Sequence, residues 1–447
     1  MDHFSFESTM PVSAERLFEW HCSPVAFERL LPPWRRVELL TPHPPLEQGG
    51  EVAVRLHFGM RAVETLHRIT QVEKGSLFVD EQIVGPMVSW HHKHRMRDLP
   101  DGTSVLEEKI DYQLPAWGRL FGGKIDGELK RLFGYRHRVT AGDLATLARH
   151  PSGPLRIAIT GSSGLIGRPL CLLLRSGGHT VIPLVRKAAQ PGEVEWSPDV
   201  GVVNPAALEG VDAVIHLAGE NVAGRWTAAK KERIESSRVQ GTRHLVRSLS
   251  RLNQPPAALL VSSGVGYYGD PGADPVTEAS PLGSGFLAGV SKQWEEEAMR
   301  YDKGRVVTMR TGVVLSLEGG ALARMLPAFR AGLGGPIASG KQGVSWISID
   351  DMIYQIYHLL MTQTAEGAYN LVAPHPVTHR QLSAALGRAL HRPALLPMPL
   401  LAVRTLFGEM GEELLVKGVF AVPQRLIEAG APFRYPTVES ALSHLFS

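Results

Sequence analysis

Three glycines at three-residue intervals, Gly161, Gly164 and Gly167, stand in the string TGSSGLIG that begins at Thr160. The apolar run Leu155, Ile157, Ala158, Ile159 precedes them, and the apolar-rich stretch Leu170 to Leu174 follows. A buried strand, a glycine turn and a helix in that order make a phosphate-binding site. Residues without a Cβ let the backbone approach a pyrophosphate, and the free amides at the helix N-terminus point at its charge. Gly161, Ser162, Ser163, Gly164, Leu165, Ile166 and Gly167 are therefore the predicted cradle of a dinucleotide. The other phosphate loop, ending in Gly-Lys-Ser or Gly-Lys-Thr, is absent because Arg168 follows Gly167. A purely structural glycine turn is the bland alternative.

The next strand, Thr180 to Val185, should carry at its end the residue that reads the adenosine ribose. A NAD-selective site places Asp or Glu about 20 residues past the motif, for the 2′-hydroxyl. Here Val185 is followed by Arg186 and Lys187. A guanidinium can bind a 2′-phosphate in a forked, charge-assisted way where a carboxylate would repel it. NADP is thus expected over NAD, against the plainer reading that Arg186 solvates a loop. The string DAVIHLAG from Asp212 ends in Leu217, Ala218 and Gly219, where a parallel sheet's carboxyl edge would meet the two riboses.

His91, His92 and His94 raise a metal reading, since positions 92 and 94 share one strand face. No carboxylate or cysteine lies at a matching offset, so a solvated or cavity-lining strand face is preferred and no metal is expected.

These groups need elements to hold them. Ahead of the break Arg149-His-Pro-Ser-Gly-Pro154, Ser13 to Glu19 reads as a capped helix. Glu51–Phe58, Val63–Val72, Leu77–Val84, Val88–Met96 and Val105–Leu114 read as strands, and Lys124 to Ala148 as a long helix. Beyond the break, apolar strands at Ala257 to Ser263 and Val306 to Leu315 alternate with helical stretches at Lys230–Leu249 and Val290–Arg300. That alternation predicts an α/β, doubly wound parallel sheet. The expected domains are 1–150, a linker 151–154, a dinucleotide-binding domain 155–391 and a small C-terminal domain 392–447. Glycine-rich Gly332 to Gly343 is either a substrate-covering loop or a connector, and Asp350 and Asp351 are expected to cap the helix after it.

The chain has 447 residues, 44% hydrophobic and 20% charged, with a net charge of +3. That length allows about three domains, or two if one is large. No block of like charge calls for nucleic acid or an anionic membrane. Two cysteines, Cys22 and Cys171, are too few for a disulfide framework. With no basic-then-apolar leader and no transmembrane run, a reducing cytoplasm is the default.

The strings TGSSGLIG, DAVIHLAGENVAGRWT, SSRVQGTRHLV, SSGVGYYGD, MRTGVVLSLEGGALARMLPAFRAGLGGPIASGKQGVSWISIDD and GAYNLVAP resemble the extended short-chain dehydrogenase/reductase family. More narrowly, they resemble its "epimerase family protein" branch, also labelled cell-division-inhibitor homologues, from about Leu155 to Phe446. The resemblance implies a Rossmann-type fold, and the tail from about Arg392 is similar to that branch's small C-terminal domain. Residues 1–150, by element order and the strings GPMVSWHHKHR and YQLP, resemble the START-like, polyketide-cyclase-like (SRPBCC) superfamily. This implies an α+β helix-grip fold around an apolar-ligand cavity.

Extended reductases and epimerases use a Ser and a Tyr-x-x-x-Lys pair, in which Lys lowers the tyrosine pKa for proton exchange. Here Lys292 fits the lysine, but Ala288 holds the tyrosine position, and none of the nine tyrosines has Lys four residues on. The usual serine position is Gly264, with Ser262 and Ser263 adjacent, and Arg238 stands where many relatives carry Asn. The candidate substitutes are Tyr268, Tyr267, Ser262 and Ser263, with Lys292 left to hold the nicotinamide ribose. Tyr267 and Tyr268 could equally pack beside the cofactor. Three functions follow: an NADP-dependent oxidoreductase or epimerase acting on a small or nucleotide-linked molecule, a non-catalytic NADP-binding sensor, or a lipid or quinone carrier-reductase.

Overall fold

Alternating apolar and polar residues in the first hundred or so positions leave one face of each strand apolar, the pattern of a sheet covered on one side. The computed structural model describes residues 1–42, 44–59, 61–116 and 122–446. It forms two compact units, one of Met1–Gly153 together with Leu172–Gly178, the other of Pro154–Cys171 and His179–Phe446.

In the first unit the strands are β1 (Asp2–Met10), β2 (Val37–Leu39), β3 (Glu51–Phe58), β4 (Arg61–Glu73), β5 (Leu77–Val84), β6 (Ser89–Asp98) and β7 (Ser104–Gln113). They make one antiparallel sheet in the order β1-β7-β6-β5-β4-β3-β2. Helices α1 (Ala14–His21) and α2 (Ala26–Arg29) follow β1, and the long α3 (Gly122–Arg149) follows β7. Leu129 and Phe133 of α3 bury against Ile110, Tyr112 and Leu114, with Phe4 and Phe6 of β1 alongside. A forked, fully buried ion pair ties α2 to α3, Arg29 donating to Asp143 at 3.0 and 2.9 Å. Strand β1 was not among the expected elements. It pairs with β7 along its whole length, through the Phe4 and Phe6 alternation.

The second unit opens with β8 (Arg156–Thr160), α4 (Gly167–Ser176), β9 (Thr180–Val185), β10 (Val194–Ser197), β11 (Gly201–Val202) and β12 (Ala213–His216). Then come α5 (Ala228–Leu249), β13 (Ala258–Gly264), α6 (Phe286–Ala298) and two further strands, Arg305–Thr311 and Gly367–Leu371. The sheet runs β11-β10-β9-β8-β12-β13, then those two strands. Every pairing is parallel except the β10–β11 edge hairpin. Ile157, Ile159, Val214, Ile215, Leu259 and Leu260 are fully buried, as continuous apolar runs require in a sheet covered on both faces. The order reverses between β8 and β12, and a crevice at that switch point is where such sheets bind ligands.

One expectation needs correction. The helix Ile349–Met361 is capped by Ser348, whose Oγ accepts from the Asp351 amide at 3.0 Å, not by Asp350 or Asp351. Those two acids reach instead to the C-terminal segment. Asp351 accepts from the amides of Arg434 and Tyr435 at 2.9 and 3.0 Å, and Asp350 pairs with His444 at 2.7 Å. The segment Gly332 to Gly343 is closely packed, since a Cβ on Gly335 would lie 2.2 Å from the Leu396 carbonyl and one on Gly343 2.6 Å from the Phe420 ring. That packing is what a connector needs. Among the described residues, no helix is long and apolar enough to cross a membrane.

Candidate functional site: a dinucleotide crevice

The glycine turn joins β8 to α4. Gly161 has φ +69°, in the left-handed region, and a Cβ there would lie 3.1 Å from the Ala218 nitrogen. A Cβ on Gly167 would lie 2.1 Å from the Gly161 carbonyl oxygen, so this position closes the turn onto the helix. The Gly164 amide donates to Gly161 at 2.9 Å, and Arg168 starts the helical ladder by donating to Gly164 at 3.0 Å. The amides of Leu165 and Ile166 thus sit ahead of that ladder, while Ser163 and Gly164 are exposed. An exposed rim of small residues with unladdered amides fits a pyrophosphate.

Opposite the turn, the ends of β8 and β12 are locked together. Thr160 Oγ1 accepts from the amides of Leu217 and Ala218, each at 3.1 Å, and meets His216 Nδ1 at 2.7 Å. His216 Nε2 meets Thr242 Oγ1 of α5 at 3.1 Å. With two amides donating to it, the Thr160 hydroxyl donates to Nδ1, so His216 carries its proton on Nε2. Burial, helped by the Arg238 charge, pushes the imidazole down to about 3 and keeps it neutral. Sequence reasoning placed His216 on the strand but gave it no role. A histidine inside an otherwise apolar parallel strand was the available clue.

Arg186 is exposed just beyond β9 and does not stand alone. Nearby Glu220 is held below the usual carboxylate range, first by its hydrogen bond with Lys230 at 2.6 Å and then by the charges of Lys230, Arg233 and Arg186. Three cations around one acid leave net positive charge at this rim. Lys230 and Arg233 come from α5, which is why spacing along β9 did not reveal them. Arg238, also on α5, donates to the carbonyls of Glu220 and Ile234 at 2.9 and 3.1 Å and lies beneath Gly219. Burial pushes its guanidinium down to about 10.

The reacting end has a different character. Ala288 is buried in α6, and the Lys292 ammonium, one turn on, is exposed with Glu296 at 3.7 Å. Ser263 donates to Glu295 at 2.7 Å, and Glu295 receives Arg310 at 2.9 and 2.8 Å. Arg310 also donates to the Tyr268 hydroxyl at 3.0 Å, and that hydroxyl donates to Asn370 at 2.7 Å. Tyr268 is buried, and burial, opposed by Arg310, pushes its phenol up to about 12. This is the reverse of the lowered pKa that a Tyr-x-x-x-Lys pair achieves. Ser262 and Tyr267 remain partly exposed, with the Arg310 guanidinium 3.5 Å over the Tyr267 ring. Glu295, Arg310 and Asn370 were not foreseen, because their partners come from separate elements.

Strand order, glycine turn and basic rim define a Rossmann-type nucleotide-binding protein. The model of the NAD dependent epimerase/dehydratase family matches residues 157–371, and that of a domain of unknown function, DUF1731, matches residues 398–445. Epimerase family protein Mb2239 of Mycobacterium bovis is 41% identical over 292 residues, 64% of this chain and 96% of the relative. The chain belongs to this epimerase family. A crystal structure of the nucleoside-diphosphate sugar epimerase from Corynebacterium glutamicum is 30% identical, with a TM-score of 0.80 over 99% of this chain and 90% of that one. Human epimerase family protein SDR39U1 (isoform 2), solved with NADPH, is 33% identical, with a TM-score of 0.60 over 65% of this chain and 99% of its own.

Proposed function

We propose that this chain is an NADP(H)-dependent oxidoreductase or epimerase-like enzyme acting on a small or nucleotide-linked carbonyl or carbinol. A bound nicotinamide cofactor supplies or accepts the hydride. The glycine turn holds the pyrophosphate, Leu217 to Gly219 face the riboses, and Arg186 binds the 2′-phosphate. The observation that carries the reading is the net positive rim formed by Arg186, Lys230 and Arg233 around Glu220. Lys292 is free to swing onto the nicotinamide ribose. Among the proton donors considered, Tyr268 and Ser263 are engaged inside the protein, so Ser262 is the group to test first, with Tyr267 beside it.

A second reading, a non-catalytic NADP-binding sensor, is favoured by Ala288 and by the engaged Tyr268 hydroxyl. In either case the first unit acts as a START-like domain for an apolar ligand, in a reducing compartment such as the cytoplasm. The partners of both readings are small molecules, not nucleic acid.

Calorimetric titration of the full chain tests the cofactor reading. NADPH should bind more tightly than NADH by about 1–3 kcal/mol, the scale of a charge-assisted contact. Arg186→Ala should erase most of that difference and leave NADH binding unchanged. Equal affinities in the wild type would sink the NADP assignment. Failure of every carbonyl and sugar-nucleotide substrate, with NADPH still bound, would hand the lead to the sensor.

A further inference from the structure

The first unit contains a group of side chains that the dinucleotide reading does not use. Asp80 of β5, His92 and His94 of β6 and Glu108 of β7 lie on one face of three adjacent strands. Asp80 is directly opposite His92, and Glu108 directly opposite His94. Histidines two apart on β6 thus acquire carboxylate neighbours from the flanking strands, which no offset along the sequence could display.

Asp80 Oδ2 lies 3.3 Å from His92 Nδ1 and 3.2 Å from His94 Nε2. Both separations match the edge of a tetrahedron, about 3.3 Å, whose ligand bonds are about 2.0–2.1 Å. The opposite nitrogens, His92 Nε2 and His94 Nδ1, face Glu108 Oε2 at 2.9 and 2.7 Å. His137 Nε2 of α3 reaches Glu108 Oε1 at 3.3 Å, and His67 Nδ1 of β4 reaches Asp80 Oδ1 at 2.8 Å.

Asp80, His92 and His94 each offer one ligand atom, and these atoms all lie within 4.8 Å of one another. His92 and His94 are neighbours on one strand face, their ring centres 3.8 Å apart. A divalent ion held there would meet one carboxylate and two imidazoles, and His92 can direct its remaining N–H to Glu108 at 2.9 Å, the usual support for a metal-bound imidazole.

We propose that Asp80, His92 and His94 bind one divalent first-row transition ion of the zinc class, with Glu108 orienting the His92 imidazole and His67 orienting Asp80. Two nitrogens and one oxygen suit such an ion better than calcium or magnesium, and three protein ligands leave a coordination position open. The site goes beyond the cofactor reading and does not depend on it.

The test is titration of the full chain, stripped with a chelator, with Co²⁺ as a visible probe. The expected result is a d–d absorption band that saturates at one Co²⁺ per chain and is displaced by Zn²⁺. Asp80→Asn and His94→Ala should each weaken Co²⁺ binding at least ~10-fold. His91→Ala, whose side chain pairs with Glu81 on the other face, should leave it unchanged. Near-UV circular dichroism reports whether each variant keeps its tertiary packing. Should His94→Ala fail to fold, the wild-type titration decides alone. No saturable band in the wild type, or equal binding in folded His94→Ala, overturns the proposal in favour of a proton-only network.

Discussion

Tyr268 has a donor on one side and an acceptor on the other, Arg310 and Asn370, and both partners are buried. Removing its hydroxyl would leave two polar groups short of a partner where water cannot replace it. Tyr268→Phe should therefore lower stability by about 1–3 kcal/mol in urea unfolding, while kcat, once a substrate is known, stays within a few-fold. A large kcat loss at unchanged stability would return Tyr268 to the role of proton donor. His216 makes a second prediction at this scale. Its folded pKa, about 3, lies below the ordinary value of 6.5. Above pH 6.5 both states are neutral and its contribution is complete. As pH falls from 6.5 towards 3, the unfolded chain takes a proton that the folded one refuses. Stability should then drop by up to about 1.4 kcal/mol per pH unit from this group. His216→Gln should flatten the slope by about one proton when denaturation is repeated between pH 7 and 5.

At the scale of elements, the glycine turn is the sharpest case, because its geometry tolerates so little. A methyl group at Gly167 would meet the Gly161 carbonyl oxygen at 2.1 Å and Ser162 Cα at 2.8 Å, both backbone atoms that cannot yield cheaply. Gly167→Ala should abolish measurable NADPH binding, whereas Gly178→Ala, where nothing lies within 4 Å, should be felt only as strain at φ +86°. Nucleotide titration beside a thermal melt separates the two effects. This turn was legible from the chain because strand, glycines and helix are consecutive. So were β3, β5 and β9, whose ends match the expected ones residue for residue. Val306 to Leu315 was expected as one strand, yet it breaks at Gly312, where a Cβ would meet the Ser345 carbonyl at 2.4 Å. That close approach depends on a segment distant in sequence. The same reason hid Lys230 and Arg233 beside Arg186, and Asp80 and Glu108 beside the β6 histidines. Consecutive chemistry can be read from a sequence, while chemistry assembled across elements needs the register.

For the whole molecule, the two units differ in sheet type, one antiparallel and one almost wholly parallel, and each has its own buried core. Pro151, Gly153 and Pro154 disfavour a continuous helix across the join. The matched Mycobacterium bovis relative has 96% of its length in the aligned 292 residues, so a protein of that family exists without a counterpart of the first unit. We expect fragments 1–150 and 154–447 each to unfold cooperatively, and the second to bind NADPH alone. Loss of nucleotide binding by a well-folded fragment 154–447 would place part of that site in the first 150 residues.

The reach of Asp350 and Asp351 to the C-terminal segment also sets an order of events during synthesis. The start of helix Ile349–Met361 carries two buried acids whose partners, Arg434, Tyr435 and His444, are made only after a long further stretch of chain. At ~5–20 residues per second that delay is on the order of ten seconds, during which the first unit can finish folding. A nascent chain stalled near Gly430 would hold two carboxylates against an unfinished core. Burial, helped by the Asp350 charge, raises Asp351 to about 6 even with its amide partners in place, so without them the helix start has every reason to stay hydrated and open. The start of this helix therefore waits, hydrated, until Arg434, Tyr435 and His444 have been made.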